Sequence, residues 1–410
     1  MGLVSAPIAS QGHGQTPCPQ ADHAAALEDR TVGRLAAACA VAVANAYYIQ
    51  PLLVEVGRAL SIAPGMVGIL PGLSQVGLAL GLAFLLPLGD MVPARRLLLT
   101  IVPLQIAALI LFAASGSGPA IAAASLLIGL FGITPYVLPP YISLRVPPSR
   151  LGHVTARLTR GVVIGILLAR TASGMIGTQF GWRAVYGLAA LGMTLLLIFL
   201  SRVLEHEPGL AGRGEQRYRD LMASLPRLLR TLPGLRIAAL CQALGFGSFN
   251  VFWLGATLYL QGPGFGWTPR AVGLVALVGA AAAGVAPWFG RAIDRSGPHR
   301  MRRLALAGMA LSWLLLVLLR GHLAWMAPAL IALDISATLV DISNRTILYG
   351  LDANFRTRLN AIYQIAMFCG GATMSVLVGF CWSLGGWPAV CALGAIPVAI
   401  AWLGCGRGRR

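Results

Sequence analysis

Lysine is absent from this chain: all 31 basic residues among its 410 are arginine. There is therefore no phosphate-loop lysine and no Schiff-base lysine, and ATP-driven transport by this chain alone lacks its machinery. Acidic residues are scarce, 13 in all, and charged side chains make up 11% of the sequence, where a soluble domain carries about 25%. The six histidines lie in tails or near the ends of apolar runs, so no mid-membrane imidazole is available for a proton relay. Neither His-Glu-x-x-His nor Gly-x-Ser-x-Gly occurs, which leaves a membrane-embedded hydrolase without a catalytic constellation. The seven cysteines are scattered without metal-ligand spacing and read as small packing residues. No metal site, no cofactor and no enzymatic activity is expected.

What is present is apolar: 57% of the residues are hydrophobic, and the runs continue from about 33 to 404. A membrane crossing needs roughly 20 such residues. The runs predict twelve spans, near 33–57, 64–88, 96–114, 117–140, 154–177, 182–202, 236–260, 269–289, 303–319, 323–348, 358–380 and 387–404. They are too long for membrane strands and do not alternate, so the predicted fold is an all-α membrane protein. Residues 1–32 hold Pro, His, Gln and Ser without an apolar core and read as a disordered cytoplasmic tail, not a signal peptide.

The formal charge of +18 suggests nucleic acid until its distribution is examined. With the N-terminus inside, 26 arginines fall in cytoplasmic segments and 4 in the opposite loops (Arg58, Arg183, Arg270, Arg320), while Arg170 lies within a span. That is the positive-inside pattern. It places both termini in the cytoplasm and accounts for the charge without nucleic acid. The inner face is suited to anionic lipid head groups.

Three landmarks recur at half the chain length. Asp90 with Arg95 and Arg96 returns as Asp294 with Arg295 and Arg300; Arg150 returns as Arg356; and Gly-Trp-Arg-Ala-Val at 181–185 returns as Gly-Trp-Pro-Ala-Val at 386–390. The shared offset predicts a duplication: a six-helix bundle over 33–202, a cytoplasmic central loop over 203–235, a second bundle over 236–404 and a basic cytoplasmic tail over 405–410. The loop is read as a solvated linker in preference to a surface amphipathic helix over 216–230.

The loops at 86–96 (LPLGDMVPARR) and 290–300 (GRAIDRSGPHR) resemble the Gly-x-x-x-Asp-Arg-x-Gly-x-x-Arg signature of the major facilitator superfamily. The second copy fits well; the first has Leu86, Met91 and Pro93 in place of Gly, Arg and Gly. The segments NAYYIQPLL (45–53), GILLARTASG (165–174), GWRAVYGLAA (181–190), FWLGATLYLQGPGFG (252–266) and RTRLNAIYQIAMFCGG (356–371) resemble a bacterial drug-efflux-like, drug:proton antiporter-related subgroup. The resemblance implies two pseudo-symmetric six-helix bundles and proton-linked transport by alternating access. It also implies a cytoplasmic gate motif at Asp90, Arg95, Arg96, Gly290, Asp294, Arg295, Gly297 and Arg300. The family's Gly-Pro antiporter motif is replaced here by Ala169 and Arg170.

Charges within spans are the other candidates. Arg170 in the fifth span must face a partner or water, or else reach the outer surface. Asp334 lies midway along the tenth span and Asp341 two turns later on the same face, with Arg345 one turn beyond. Asp334 is therefore the better proton-coupling candidate, and Asp341 the better structural partner. Asn45, Tyr48 and Gln50 precede a helix-interrupting Pro51, and Gln242 and Asn250 sit in the seventh span; these five are the substrate-cavity candidates. Trp182, Trp267 and Trp387 read as interfacial anchors. The expected function is efflux of a small organic compound in exchange for protons, with proton-coupled uptake as the alternative. The expected partners are the solute, protons and the bilayer of the bacterial inner membrane, and the chain is expected to act as a monomer. A channel would need a ring of subunits, and a sensor would need a soluble signalling domain.

Overall fold

The computed structural model describes residues 29–143, 145–204, 218–351 and 356–407, among which no strand occurs. The helices are α1 (Asp29–Ala44), α2 (Ile49–Ala59), α3 (Ile69–Leu80), α4 (Ala94–Ala114), α5 (Gly118–Leu130), α6 (Thr134–Ser143), α7 (Pro148–Val203), α8 (Tyr218–Thr231), α9 (Pro233–Gln261), α10 (Pro269–Ser296), α11 (Pro298–Leu318), α12 (Leu323–Tyr349) and α13 (Arg356–Arg407). The tail reading of residues 1–28 lies outside the described residues.

Among the described residues, nine helical stretches are long and apolar enough to cross a membrane. Two of them, Arg150–Val203 and Arg358–Cys405, run for 54 and 48 residues, more than twice what one crossing requires. Each is interrupted at a glycine with positive φ, Gly181 (77°) in α7 and Gly386 (58°) in α13. A side chain in that region would press on its own backbone, so glycine is the residue that lets the chain turn there. These glycines open the two copies of Gly-Trp-x-Ala-Val.

The tryptophans that follow them are not interfacial anchors. Trp182 and Trp387 are 3% and 4% exposed. Trp182 meets Phe112 of α4 edge-on, and Trp387 stacks on Tyr259 of α9 while donating its indole N–H to the Leu316 carbonyl at 3.0 Å. With an aromatic partner in each case, and for Trp387 an acceptor inside the bundle as well, nothing draws them to the head groups.

The outward surface is apolar too. Along the second half of α7, Val185, Ala189, Met193 and Leu196 are buried, whereas Leu188, Leu191, Leu195 and Ile198 are exposed. A helix apolar on both faces has lipid, not water, as its surroundings.

Helix α1 packs on α7, α3 on α5 and α4 on α7; α9 packs on α13, α11 on α12 and α13, and α10 on α12. These groups meet along α7–α10, α3–α13 and α2–α9. The crossings are close because glycine stands at them. A Cβ at Gly68 or Gly174 would overlap the carbonyl oxygen of Ser375 or Pro269, and one at Gly273 would lie 2.6 Å from the Arg170 carbonyl oxygen.

The central loop departs from the solvated-linker reading. Its described part includes α8, whose Leu225 and Leu228, with Leu232 just beyond, pack against Leu235, Leu348, Leu359, Ile362 and Tyr363. Tyr218 at its start donates its hydroxyl to the Phe84 carbonyl at 2.9 Å. The apolar stripe of α8 is thus satisfied by the bundle. Among the described cysteines, Cys39 and Cys391 are buried as packing residues, Cys369 is exposed and Cys381 half-buried, and Cys241 and Cys405 meet with their sulfurs 3.0 Å apart.

Candidate functional site

Pro51 has no backbone N–H to donate, and the chain ahead of it leaves the α-helix over 45–48. Gln50 N–H reaches back only three residues, to the Tyr47 carbonyl at 3.2 Å. Asn45 covers two of the loosened carbonyls, donating Nδ2 to Ala42 at 3.1 Å and Val41 at 3.3 Å. The break between α1 and α2 directs Gln50 toward α7 and α9.

Gln50 Oε1 accepts a hydrogen bond from Arg170 Nε of α7 at 2.6 Å, and Gln50 Nε2 donates to Asn250 Oδ1 of α9 at 3.4 Å. Asn250 Nδ2 donates to Ser375 Oγ of α13 at 2.5 Å and to the Gly371 carbonyl at 3.3 Å. Gln75 Nε2 of α3 reaches the same hydroxyl at 3.4 Å. One polar chain therefore links five helices across the contact between the two groups. In a low-dielectric interior such a chain is stable only when its members satisfy one another.

Arg170 does not extend to the surface; it is 3% exposed. Its guanidinium carbon lies 3.9 Å from the Trp253 ring centre, 5.2 Å from Tyr47 and 6.0 Å from Phe249. Ring faces attract a desolvated cation, which offsets part of the cost of burying it. Asp334 of α12 lies close to the same Trp253 ring. Its Oδ2 fills the space that a side chain at Gly279 of α10 would need, and that space is 3.7 Å from Trp253 Cζ2. Asp334 and Arg170 interact through their charges but form no direct ion pair. Three buried polar atoms in this cluster have no hydrogen-bond partner in the protein: Arg170 Nη2, Trp253 Nε1 and Asp334 Oδ1.

The other sequence candidates fall elsewhere. Asp341 is held in place: Arg345 Nε donates to it at 2.9 Å, Tyr363 OH donates to its other oxygen at 2.8 Å, and Arg345 Nη1 donates to Asn360 at 3.0 Å. Asp341→Ala is expected to cost about 1–2 kcal/mol of stability, seen as a lower Tm of the detergent-purified protein. A Tm equal to wild type would remove the structural role. Gln242 accepts from Asn344 at 3.4 Å, and Asn344 accepts from the buried Arg302 at 3.2 Å; this network is separate from the Arg170 chain. Tyr48 turns to Tyr186 of α7, edge-on with centroids 6.5 Å apart. It is Tyr47 that faces Arg170.

Of the gate residues, the side chains of Asp90 and Gly290 lie outside the described residues. Arg95 donates to the Ser201 carbonyl at 3.2 Å. Arg96, Asp294, Arg295 and Arg300 are exposed, and Gly297 joins α10 to α11.

The arginine-poor end of the molecule is shut. Gln261 Nε2 donates to the Pro51 carbonyl at 2.7 Å, Thr171 Oγ1 to the Gly273 carbonyl at 3.1 Å, and Arg270 N–H to Thr178 Oγ1 at 3.0 Å. A Cβ at Gly379 would lie 2.6 Å from the Gly65 carbonyl oxygen.

Sequence reasoning missed Tyr47, Phe249, Trp253, Gln75 and Ser375. Helical spacing carried part of the signal, since Trp253 is three residues from Asn250 and the pair shares a face of α9, whereas Tyr47 lies in the break ahead of α2.

Comparison with known proteins agrees with this architecture. The family model described as Major Facilitator Superfamily matches residues 35–351. The chain is 32% identical over 360 residues, 87% of this chain and 90% of the relative, to the uncharacterized transporter YgaY of Escherichia coli O157:H7. A partial match, 28% identical over 178 residues, or 42% of this chain and 41% of the relative, is the purine ribonucleoside efflux pump NepI of Escherichia coli O127:H6. Among solved structures, that of the nucleoside transporter NupG superposes with a TM-score of 0.77 at 11% identity, covering 92% of this chain and 100% of that one. The last likeness concerns fold alone. Taken with the apolar helices and the buried polar chain at their crossing, the family match makes this chain a multi-pass membrane transporter, and not an enzyme, of the Major Facilitator Superfamily.

Proposed function

We propose that the chain is a secondary active transporter in which two six-helix bundles, twelve spans in all, rock about the Arg170–Trp253–Asp334 cluster and couple a small organic solute to protons. In this reading α7 and α13 supply two spans each. The observation that carries it is the pair of opposite buried charges between the two helix groups, each with an unpartnered atom. A buried carboxylate near a cation that it does not contact directly can gain and lose a proton as the cation's other partners change. The shut arginine-poor end supports an inward-facing state, with both termini in the cytoplasm of a bacterial cell and the chain acting as a monomer in the inner membrane.

Export in exchange for protons is the first reading of direction. It draws on the subgroup resemblance and on the efflux activity named for NepI. Uptake together with protons is the second, favoured by Arg170 and Asp334, two buried opposite charges that a solute and a proton can neutralise together. The test is solute-evoked pH change in proteoliposomes loaded with a pH dye. Exchange moves protons against the solute, and cotransport moves them with it. No pH change for any transported solute would end proton coupling in both forms.

Asp90 and Asp294 are proposed as latches that engage when the arginine-rich end closes. Asp90→Ala should slow transport severalfold while solute affinity, measured by titration, changes less than twofold. A collapse of affinity would contradict the latch.

A further inference from the structure

We infer that the solute is a planar organic anion, an aromatic carboxylate, whose negative group is held by Arg170 and Trp253 and whose binding brings a proton onto Asp334. The inference rests on the proposed placement of the solute site, and it goes beyond it by naming the class of solute.

The argument begins with the unused hydrogen-bonding capacity. Arg170 Nη2 and Trp253 Nε1 are both donors, both buried and both without an acceptor in the protein. Arg170 Nε is already committed to Gln50 at 2.6 Å, and the guanidinium carbon sits 3.9 Å from the Trp253 ring centre. A carboxylate is the ligand that a positioned guanidinium edge and a neighbouring N–H satisfy together. A cation would meet like charge there, and a neutral primary amide brings a single weaker acceptor oxygen where two donors wait.

The surroundings call for a flat body behind the anion. Phe249 and Tyr47 flank the guanidinium, and Phe246 continues from Phe249 to Phe368 and Tyr136 through ring contacts of 6.3, 5.8 and 6.1 Å. Tyr47, Tyr136 and Phe368 also line a cavity of about 20 Å³ beside this row, water-sized in this state, so an aromatic body enters only as these rings move apart.

Charge then ties the anion to a proton. Among the described residues the charged group that bears on Asp334 is Arg170 from α7, which is itself beside Tyr47 from the break after α1; α10 and α9 present Gly279 and Trp253. With the site empty, ionised Asp334 balances Arg170. With a carboxylate on Arg170, an ionised Asp334 leaves a net negative charge in a low-dielectric site, and protonation removes it. The empty site and the site holding both anion and proton are the two neutral states, the ones that cross most easily. An anionic solute therefore travels with its proton, which favours the second reading of direction.

The test uses purified protein in detergent, with benzoate, 1-naphthoate and indole-3-carboxylate as probes and the corresponding primary amides as controls. Tryptophan fluorescence and thermal shift report binding, and a pH dye in weak buffer reports protons. Carboxylates should bind and amides should not. Each bound carboxylate should take up close to one proton near neutral pH. Arg170→Gln should weaken carboxylate binding about 10- to 100-fold, and Asp334→Asn should bind carboxylate with no proton uptake. Trp253→Phe, which keeps the ring face and removes the N–H, gives a second variant should Arg170→Gln fold poorly; it should weaken binding several-fold. Amides that bind as well as acids, proton release on binding, or no binding by any of the acids would overturn the inference. Proton-coupled movement of a neutral solute would stand untouched by that failure.

Discussion

Asp334→Asn is expected to abolish solute-evoked proton movement in proteoliposomes while leaving the protein folded, inserted and able to bind solute. The substitution keeps shape and volume, and Asp334 Oδ1 has no hydrogen-bond partner in the protein to lose. No direct ion pair is broken, and Arg170 keeps its bond to Gln50 and its contacts with the Trp253 and Tyr47 rings, so the fold should persist even though a balancing charge is lost. What disappears is the exchange between charged and neutral forms. With asparagine the cluster permanently carries the charge of Arg170, as if protonated. The variant should therefore bind solute as tightly as wild type or tighter, independently of pH between about 6 and 8. It should exchange internal for external labelled solute and yet fail to accumulate it against a gradient. Dye-detected proton flux should fall to the level of empty vesicles. Proton flux equal to wild type would exclude Asp334 from coupling, and loss of binding together with flux would make it a solute contact instead.

The fold was legible in this sequence because lipid imposes a simple rule, about 20 apolar residues per crossing, and the spans end where arginine, proline and glycine gather. The break after α1 was legible from Pro51, and the polar members Gln50, Arg170, Asn250 and Asp334 were conspicuous because amides and charges are rare in such runs. Their partners were not. Trp253 and Phe249 are aromatic residues in an apolar segment, where any of them could face lipid, a neighbouring helix or a cavity. Which of Tyr47 and Tyr48 faces inward depends on how far the helix unwinds ahead of Pro51, and that is set by packing against α7. Trp182 and Trp387 were misread for the opposite reason. Their place near span ends suggested the membrane interface, and only the turn at the preceding glycine, with Phe112 and Tyr259 already waiting, draws them inward. Helix α8 was hidden by its arginines, although Leu221, Leu225, Leu228 and Leu232 recur at helical spacing between them.

Gly174→Leu is expected to stop transport by preventing the arginine-poor end from closing. A Cβ at this position would overlap the Pro269 carbonyl oxygen and lie 3.2 Å from the Gly273 Cα. Both neighbours are backbone of α10, so no side-chain rotation relieves the contact and the helices must separate. Separation also breaks the bonds on either side, Thr171 to Gly273 and Arg270 to Thr178. Overpacking of this kind costs about 1–3 kcal/mol, charged against the closed state alone. A two-state equilibrium shifts by roughly 5- to 150-fold for that energy. In the proposed alternation the state closed at the arginine-rich end has these helices apart and does without this contact, so the protein is expected to fold and rest with its arginine-poor end open. Single cysteines at Thr178 or Gln261, in a background without the native cysteines, should then react with a membrane-impermeant maleimide many times faster than in the otherwise unaltered chain. Gly187→Leu is the control, since a Cβ there meets nothing within 4 Å; it should transport normally. Full transport by Gly174→Leu, or unchanged maleimide labelling, would mean that closing this end does not depend on the α7–α10 crossing.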